Sequence, residues 1–595
     1  SESGNRKYDY PAHFSSVNPW TEIALAPFND YFDKLSDLFL NTEEPVNTAV
    51  LHPVRSAYFD YKQGDMDSTA PLDKGFLEFC DCLASKHISF HFLDETLLEK
   101  YGSVDSKSIV CGAGRYDYLI IPPQAITLSE STAKLLREFV SEGGKLFVAG
   151  EIPTYLEGEK FNFDYLFSNV GLNEILIDQP YRLTSDKGVH SVYRKGKNCG
   201  FIFAVNITDR PIECEIAVPN KIVRYYDLNK RCVTGLPVQT FVIKENSSVI
   251  FCTEQVGAKY YDAFLNAIER NDDKPKNYIR FDFSRMRVVS RSENILPLDF
   301  ASYSFDGINY SERLSVRGIF QKFLEDRVDG EVYLKFVFES KIIPANISLL
   351  LEKDEYNAVT INGKEIDFGQ FRNENYDMRR LNLQSYCVAG RNEIVLKTRF
   401  FQSEYVYYVL FDEKVTEGMK NSLVYDTYFD TIYLKGDFGV FGDTEQGKND
   451  GVILAKNLYI DRVKEEIGSL LFDGFMFFAG KMILEKEIYL DCAETILIFS
   501  KRIHYAKIWL NDKNVGELLF DNVIDVSSAA KRGKNKIRLE LYTAARNLYG
   551  PHHDAENEES FMVSPDNFMK SGWKDGKSKL FREEYALLKT EFEGE

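Results

Sequence analysis

Two adjacent histidines, His552 and His553, are followed at once by Asp554. These residue types bind divalent metals or carry protons. Neighbouring residues on an extended chain face opposite ways, so both rings cannot readily reach one ion. A turn buried against β-structure is the stronger reading, with hydroxyl bonding by one ring as the alternative. Glu151 follows the apolar run KLFVAG, at the end of a strand where open α/β sheets bind ligands. In a chain with 91 acidic residues, a loop glutamate is ordinarily solvated. The nine cysteines (Cys80, Cys82, Cys111, Cys199, Cys214, Cys232, Cys252, Cys387 and Cys492) are odd in number and scattered, with no C-x-x-C pair. They read as reduced thiols of a cytoplasmic protein, with no zinc site. Trp573, in the polar segment KSGWKDGK, is the best candidate for an exposed stacking residue, against a Trp that caps the end of a β-sandwich.

The elements that would position these residues change along the chain. Residues 1–45 hold a polar, aromatic loop and one amphipathic helix, with Phe28, Tyr31, Phe32, Leu35, Leu38 and Phe39 on one face. A single helix must dock on something, and the α/β domain or a second chain is the expected surface. Residues 46–152 alternate strand and helix, and the strands are continuous apolar runs such as YDYLIIPP. That pattern predicts a doubly wound parallel sheet. Ser129 is the expected cap of the helix in SESTAKLLREFVSEGG, and Gly143-Gly144 its stop. Residues 153–255 switch to period two and predict a small antiparallel sandwich. A charged linker, 256–285, leads to two larger sandwiches, 286–445 and 446–595.

Those two sandwiches share a signature. Residues 359–396 begin VTINGKEIDF and end GRNEIVLK; residues 508–540 begin IWLNDKNVGE and end GKNKIRLE. Asn362-Gly363 and Asn511-Asp512 supply the positive φ of a tight hairpin. Gly390-Arg391-Asn392 and Gly533-Lys534-Asn535 supply a second turn before the next strand. Asn362 and Asn511 are expected at equivalent turns, as are Gly390 and Gly533.

The chain has 595 residues, a net charge of −19, 45 Phe and 35 Tyr. The length implies about four domains, and the aromatics suit sandwich interiors. The acidic balance argues against nucleic acid and anionic membranes as partners. No run of 18 apolar residues occurs, and SESGNRKYDYPAHF has no apolar core of the signal-peptide kind.

The repeat resembles the galactose-binding-type jelly roll, present twice. The order GNRKYDYP…NPW, VLHPVRSAY and YDYLIIPP…LREFVSEGGKLFVAG, then IYLKGDFGV, FDGFMFFAGKM and NLYGPHHD, resembles the region after the catalytic barrel in large α-L-rhamnosidase-like glycoside hydrolases. Barrel β-galactosidases are a looser likeness. The α/β domain of these proteins is related to class I glutamine amidotransferases. The fold class implied is therefore multidomain α/β plus all-β, an amidotransferase-like domain followed by β-sandwiches. Residues 1–45 would be the last loop and helix of a (β/α)8 barrel. The family's catalytic carboxylates lie on barrel strands, so no catalytic residue is expected in this chain. The resemblance implies that Arg6, Asp9, Tyr10, His13 and Trp20 lie on a loop facing sugar, or in a packed connector. It also makes Trp573 a candidate sugar contact.

An amidotransferase-like domain invites a nucleophile elbow. The equivalent strand ends IIPPQAITL with no Cys, and Cys111 lies at the wrong end. Jelly-roll turns often carry structural Ca2+; Asp367, Asp437 and Asp525 are candidate ligands, with no spacing that marks a site. The implied partners are a glycan, a barrel domain on this or a partner chain, and a second copy in a homo-oligomer. The alternative is a stand-alone, non-catalytic carbohydrate-binding or scaffold protein.

Overall fold

The structure, a computed structural model, describes residues 18–255, 277–550, 552–553 and 583–589, apart from 64, 198, 209, 353–355, 375–377, 413, 429, 448–450, 500–502 and 520–521. Two compact units are present, Phe28–Asp273 and Ser1–Pro27 with Lys274–Glu595.

The first unit opens with the four-stranded sheet the apolar runs predict. Its strands, in spatial order, are His91–Leu93, Thr48–Leu51, Tyr118–Ile121 and Lys145–Val148, all parallel. Both faces are covered, which is why Thr48–Leu51 and Tyr118–Ile121 are buried at every position. The helix Glu130–Ser141 starts where Ser129 Oγ accepts from the Thr132 amide at 3.1 Å. It ends where Gly143, at φ +82°, turns the chain so that the Gly144 amide donates to the Phe139 carbonyl at 2.8 Å.

Residues 153–180 pack outside the small sandwich, whereas a boundary at 152/153 would include them. Phe163 and Leu166 plug one face of the parallel sheet, and Val170 and Ile175 plug the other. The sandwich begins with Tyr181, whose ring lies in its core, and its first strand starts at Arg182. Its three-stranded sheet (Arg182–Ser185, Ile212–Ala217, Thr240–Ile243) packs on a five-stranded sheet built around Gly200–Asn206 and Ser247–Gln255.

The helix Thr21–Leu40 docks through its apolar stripe, on a different surface from the one expected. Leu35, Tyr31, Leu38 and Phe39 pack with Leu228, Ile250, Phe201 and Phe203 of the five-stranded sandwich sheet. The α/β layer is not the partner, because its two faces are already filled. Phe32 lies at the rim of the stripe, 45% exposed, beside Phe28.

The second unit holds two sandwiches with one pairing scheme. In the first, Gly330–Ser340, Gly390–Phe400, Ala358–Ile361 and Lys364–Ile366 are neighbours in that order. In the second the same places go to Lys481–Leu490, Gly533–Tyr542, Tyr505–Leu510 and Lys513–Leu518. The facing sheets correspond as well, Ile347–Leu351 beside Arg379–Asn382, and Thr495–Ile498 beside Val523–Asp525. The chain is more interleaved than a break at 445/446 allows. Met286–Arg291 pairs with Lys481–Leu490 of the second sandwich, while Val452–Asp461 and Tyr585–Leu588 complete a sheet of the first.

Asparagine clamps explain the repeated signature. Asn362 and Asn511 both sit at φ +50°, followed by Gly363 at +76° and Asp512 at +64°. Asn362 donates to the Tyr386 carbonyl and to Asn392 Oδ1, each at 2.9 Å, and accepts from the Glu393 amide at 2.8 Å. Asn511 donates to the Ala529 carbonyl at 2.9 Å and Asn535 Oδ1 at 2.8 Å, and accepts from the Lys536 amide at 3.0 Å. Asn392 then ties the amide and carbonyl of Val388 to the carbonyl of Gly390. Asn535 does the same with Lys531 and Gly533. An amide side chain is required because each must donate twice and accept at once.

Candidate functional site

The outer face of one sheet in the first sandwich carries a cluster of opposite charges. Along Ile432–Gly436, Ile347–Leu351 and Arg379–Asn382 the residues alternate, so Leu434, Leu349 and Leu381 point into the core. The opposite parity puts Lys435, Ser348 and Arg380 on the outer face. Arg380 grips Glu293 with both terminal nitrogens, at 2.5 and 2.8 Å, and its Nε donates to Ser348 Oγ at 2.9 Å. Glu374 accepts from Lys435 and, at 3.4 Å, from Arg380. Asn346 donates to Glu293 at 2.6 Å and to Asp437 at 3.2 Å, and Asp437 lies 3.5 Å from Arg291. The four central side chains are each between 20% and 25% exposed.

This geometry fixes the charge states. The hydrogen bonds from Arg380 hold the Glu293 carboxyl below its usual range. Burial works against ionisation of Glu374, but the hydrogen bonds and charges of Lys435 and Arg380 together outweigh it and the result is also lowered. The pair therefore offers two ionised acceptors flanked by fixed donors, a surface suited to hydroxyl groups. A general acid needs a carboxyl that keeps its proton, and neither fits. Burial raises the carboxyl of Glu95 above its ordinary range. It is 3% exposed, accepts from the Ser129 amide at 2.7 Å, and lies 3.8 Å from Arg55.

The residues singled out from the sequence do not converge on this cluster. Asp437 alone belongs to it, as an ion-pair partner. Arg6, Asp9, Tyr10, His13, Asp554 and Trp573 lie outside the described residues. Trp20 is half-buried and packs with Ala24, Tyr505 and Tyr542. Glu151 is exposed at the carboxyl end of the parallel sheet. Asp367 and Asp525 cap their own turns, at the amides of Gly369 and Ser527. Among the described residues no group of three or more His, Cys, Asp or Glu is placed to hold a metal ion. His552 and His553 are folded into the first sandwich, facing different partners. At the expected elbow the turn runs Pro122-Pro123-Gln124, and Gln124 takes the positive φ of +64° with no nucleophile to present. Burial pushes the thiols of Cys252 and Cys387 up to about 12, so they are inert at neutral pH. No helix among the described residues is long and apolar enough to cross a membrane.

No family model and no curated protein matches the chain. Among solved structures it is similar to a rhamnosidase from Novosphingobium, at 12% identity over 73% of this chain and 43% of that one, with a TM-score of 0.30. It is similar to a GH42 β-galactosidase from G. stearothermophilus, at 13% identity over 41% and 45%, with a TM-score of 0.31. It is also similar to a GH42 exo-carrageenase from Bacteroides ovatus, at 14% identity over 40% and 32%, with a TM-score of 0.27. The chain spans less than half the length of each of these three structures. What the described residues define is a β-rich, multidomain chain, with one open α/β sheet and three β-sandwiches.

Proposed function

We propose that this chain is the carbohydrate-contacting, non-hydrolytic region of a glycoside hydrolase of the α-L-rhamnosidase-like kind, working beside a catalytic barrel. The reading rests on the family resemblance of the sequence, which the joint order of its motifs carries. The observation that carries it is the repeat's physical content: both sets of turns close through matching asparagine bonds. Two sandwiches of one design, in the place where the resemblance puts galactose-binding-type jelly rolls, support a framing and binding role.

The Glu293–Arg380–Lys435–Glu374 cluster is the proposed contact surface. Its carboxylates would accept from sugar hydroxyls and its cations would donate to them. Cleavage of a glycosidic bond needs one protonated and one ionised carboxyl across a sugar. Both carboxyls of this cluster are held ionised, which favours binding without chemistry. Calorimetric titration of the purified chain with a panel of neutral oligosaccharides tests the surface. Binding that is lost in Arg380→Ala and kept in Arg391→Ala, a surface arginine away from the cluster, supports it. Binding untouched by Arg380→Ala removes this surface from the account.

A further inference from the structure

A two-helix insertion in the first sandwich turns a row of aromatic rings to solvent. The strand Gly390–Phe400 is followed by the helices Glu404–Phe411 and Glu417–Asn421. One side of Glu404–Phe411 is sealed, where Val406 and Val409 pack with Val415 and Leu423 in a small core of the insertion's own. The other side carries Tyr405, Tyr408 and Phe411, spaced three residues apart and so in one row. They are 55%, 43% and 50% exposed, and Phe401, just ahead of the helix, is 42% exposed. Phe411 is held by stacking on Tyr407, with ring centres 6.4 Å apart. A surface helix ordinarily turns charged and polar residues outward, and a helix apolar on every side belongs in an interior. In Glu404–Phe411 the one charged residue is Glu404, 4.0 Å from Arg327.

We infer that this row is the contact surface for a second copy of the chain, the two helices lying antiparallel across a two-fold axis. A row of three rings is its own complement when reversed. Tyr408 falls on the axis and meets Tyr408 of the other copy, while Tyr405 meets Phe411. Successive rings are about 4.5 Å apart along the helix, three residues at about 1.5 Å each, and paired aromatic rings stand about 4.5–7 Å apart. The area agrees. At about 200 Å2 per aromatic side chain, the four half-exposed rings offer about 400 Å2 of apolar surface. A stable interface buries about 800 Å2 on each partner, of which about 450–500 Å2 is apolar. The four rings supply most of that. Charge selects the face and the direction. With a net charge of −19, two copies approach most readily through a face that is nearly neutral. Antiparallel docking keeps the two Glu404 carboxylates at opposite ends of an eight-residue helix, whereas parallel docking would set them side by side. An isologous contact of this kind closes at two copies.

Sedimentation equilibrium of the purified chain, from about 1 to 100 μM in about 0.15 M salt, tests the contact. The expected result is a reversible monomer–dimer equilibrium that tightens as salt rises, because screening weakens the repulsion between two acidic copies. Tyr408→Lys sets two like charges together on the axis and is expected to weaken the dimer by at least about tenfold. The control Tyr58→Lys, at an exposed ring of the first unit, is expected to leave it unchanged. Tyr405→Glu and Phe411→Lys are each expected to weaken the dimer alone and to restore it together, because antiparallel pairing sets each new carboxylate against a new ammonium across the copies. A chain that stays monomeric over the whole range overturns the inference, as does a dimer indifferent to Tyr408→Lys. A double variant no tighter than the single ones overturns the antiparallel arrangement. A monomeric chain whose binding of a neutral oligosaccharide is lost in Tyr408→Lys gives the row to a sugar, and overturns the self-contact.

Discussion

Replacing Asn392 or Asn535 by alanine removes one clamp and leaves the other intact. Each side chain makes four hydrogen bonds, three to its own turn and one to the partner asparagine. At about 1 kcal/mol net per bond, the full loss would be about 4 kcal/mol. Val388 and Lys531 are exposed, so water replaces part of what is lost there. A cost of about 2–3 kcal/mol is expected at each site. Aspartate is expected to cost at least as much, because a carboxylate oxygen would then face two carbonyls at about 3 Å. A chain of two compact units does not unfold in one step, so the assay is amide exchange at Val388 and Glu393 in the first clamp, and at Lys531 and Lys536 in the second. The two alanine variants should loosen their own clamp by similar amounts and leave the other unchanged. If one substitution is neutral while the other is severe, the clamps are not equivalent, and the physical basis of the repeat is lost.

Three further outcomes follow from the geometry. Glu293, lowered by Arg380, contributes stability that is complete above about pH 4.3 and lost as pH falls through its folded value; Glu293→Gln should flatten the acid limb of an unfolding profile, and an unchanged limb counts against the cluster. Leu35→Ala, in the docked stripe of Thr21–Leu40, should cost about 2–4 kcal/mol in exchange protection of the five-stranded sheet it covers. Gly436→Ala places a methyl group against the backbone carbonyl of Asn346, and a stably folded, unperturbed first sandwich in that variant would contradict the close approach.

Periodicity made most of the architecture legible. Apolar runs such as YDYLIIPP read as buried parallel strands because helices cover both faces of that sheet. The Asn-Gly and Gly-Arg-Asn spacings read as turns because positive φ restricts residue choice so strongly. Segment 153–180 was harder, since its short apolar groups, Phe163 to Ile175, lack the period of any element and find their place only against a finished sheet. The exchange of Met286–Arg291 and Val452–Asp461 between sandwiches leaves no local trace, because a strand's sequence does not record its partner. The charge cluster did leave a trace, Ser348 within ISLLL, Lys435 within IYLKG and the arginines of RRLN, but that trace gives no pairing. Glu293 and Glu374 come from separate segments, and only the fold brings them to the same arginine.

The central claim is binding without hydrolysis. The most direct measurement is a parallel assay of the purified chain for oligosaccharide binding by calorimetry and for turnover of aryl glycosides, rhamnosides included. The account predicts saturable binding and no turnover. Turnover by the chain alone, abolished by a single Asp or Glu substitution within it, would contradict the account.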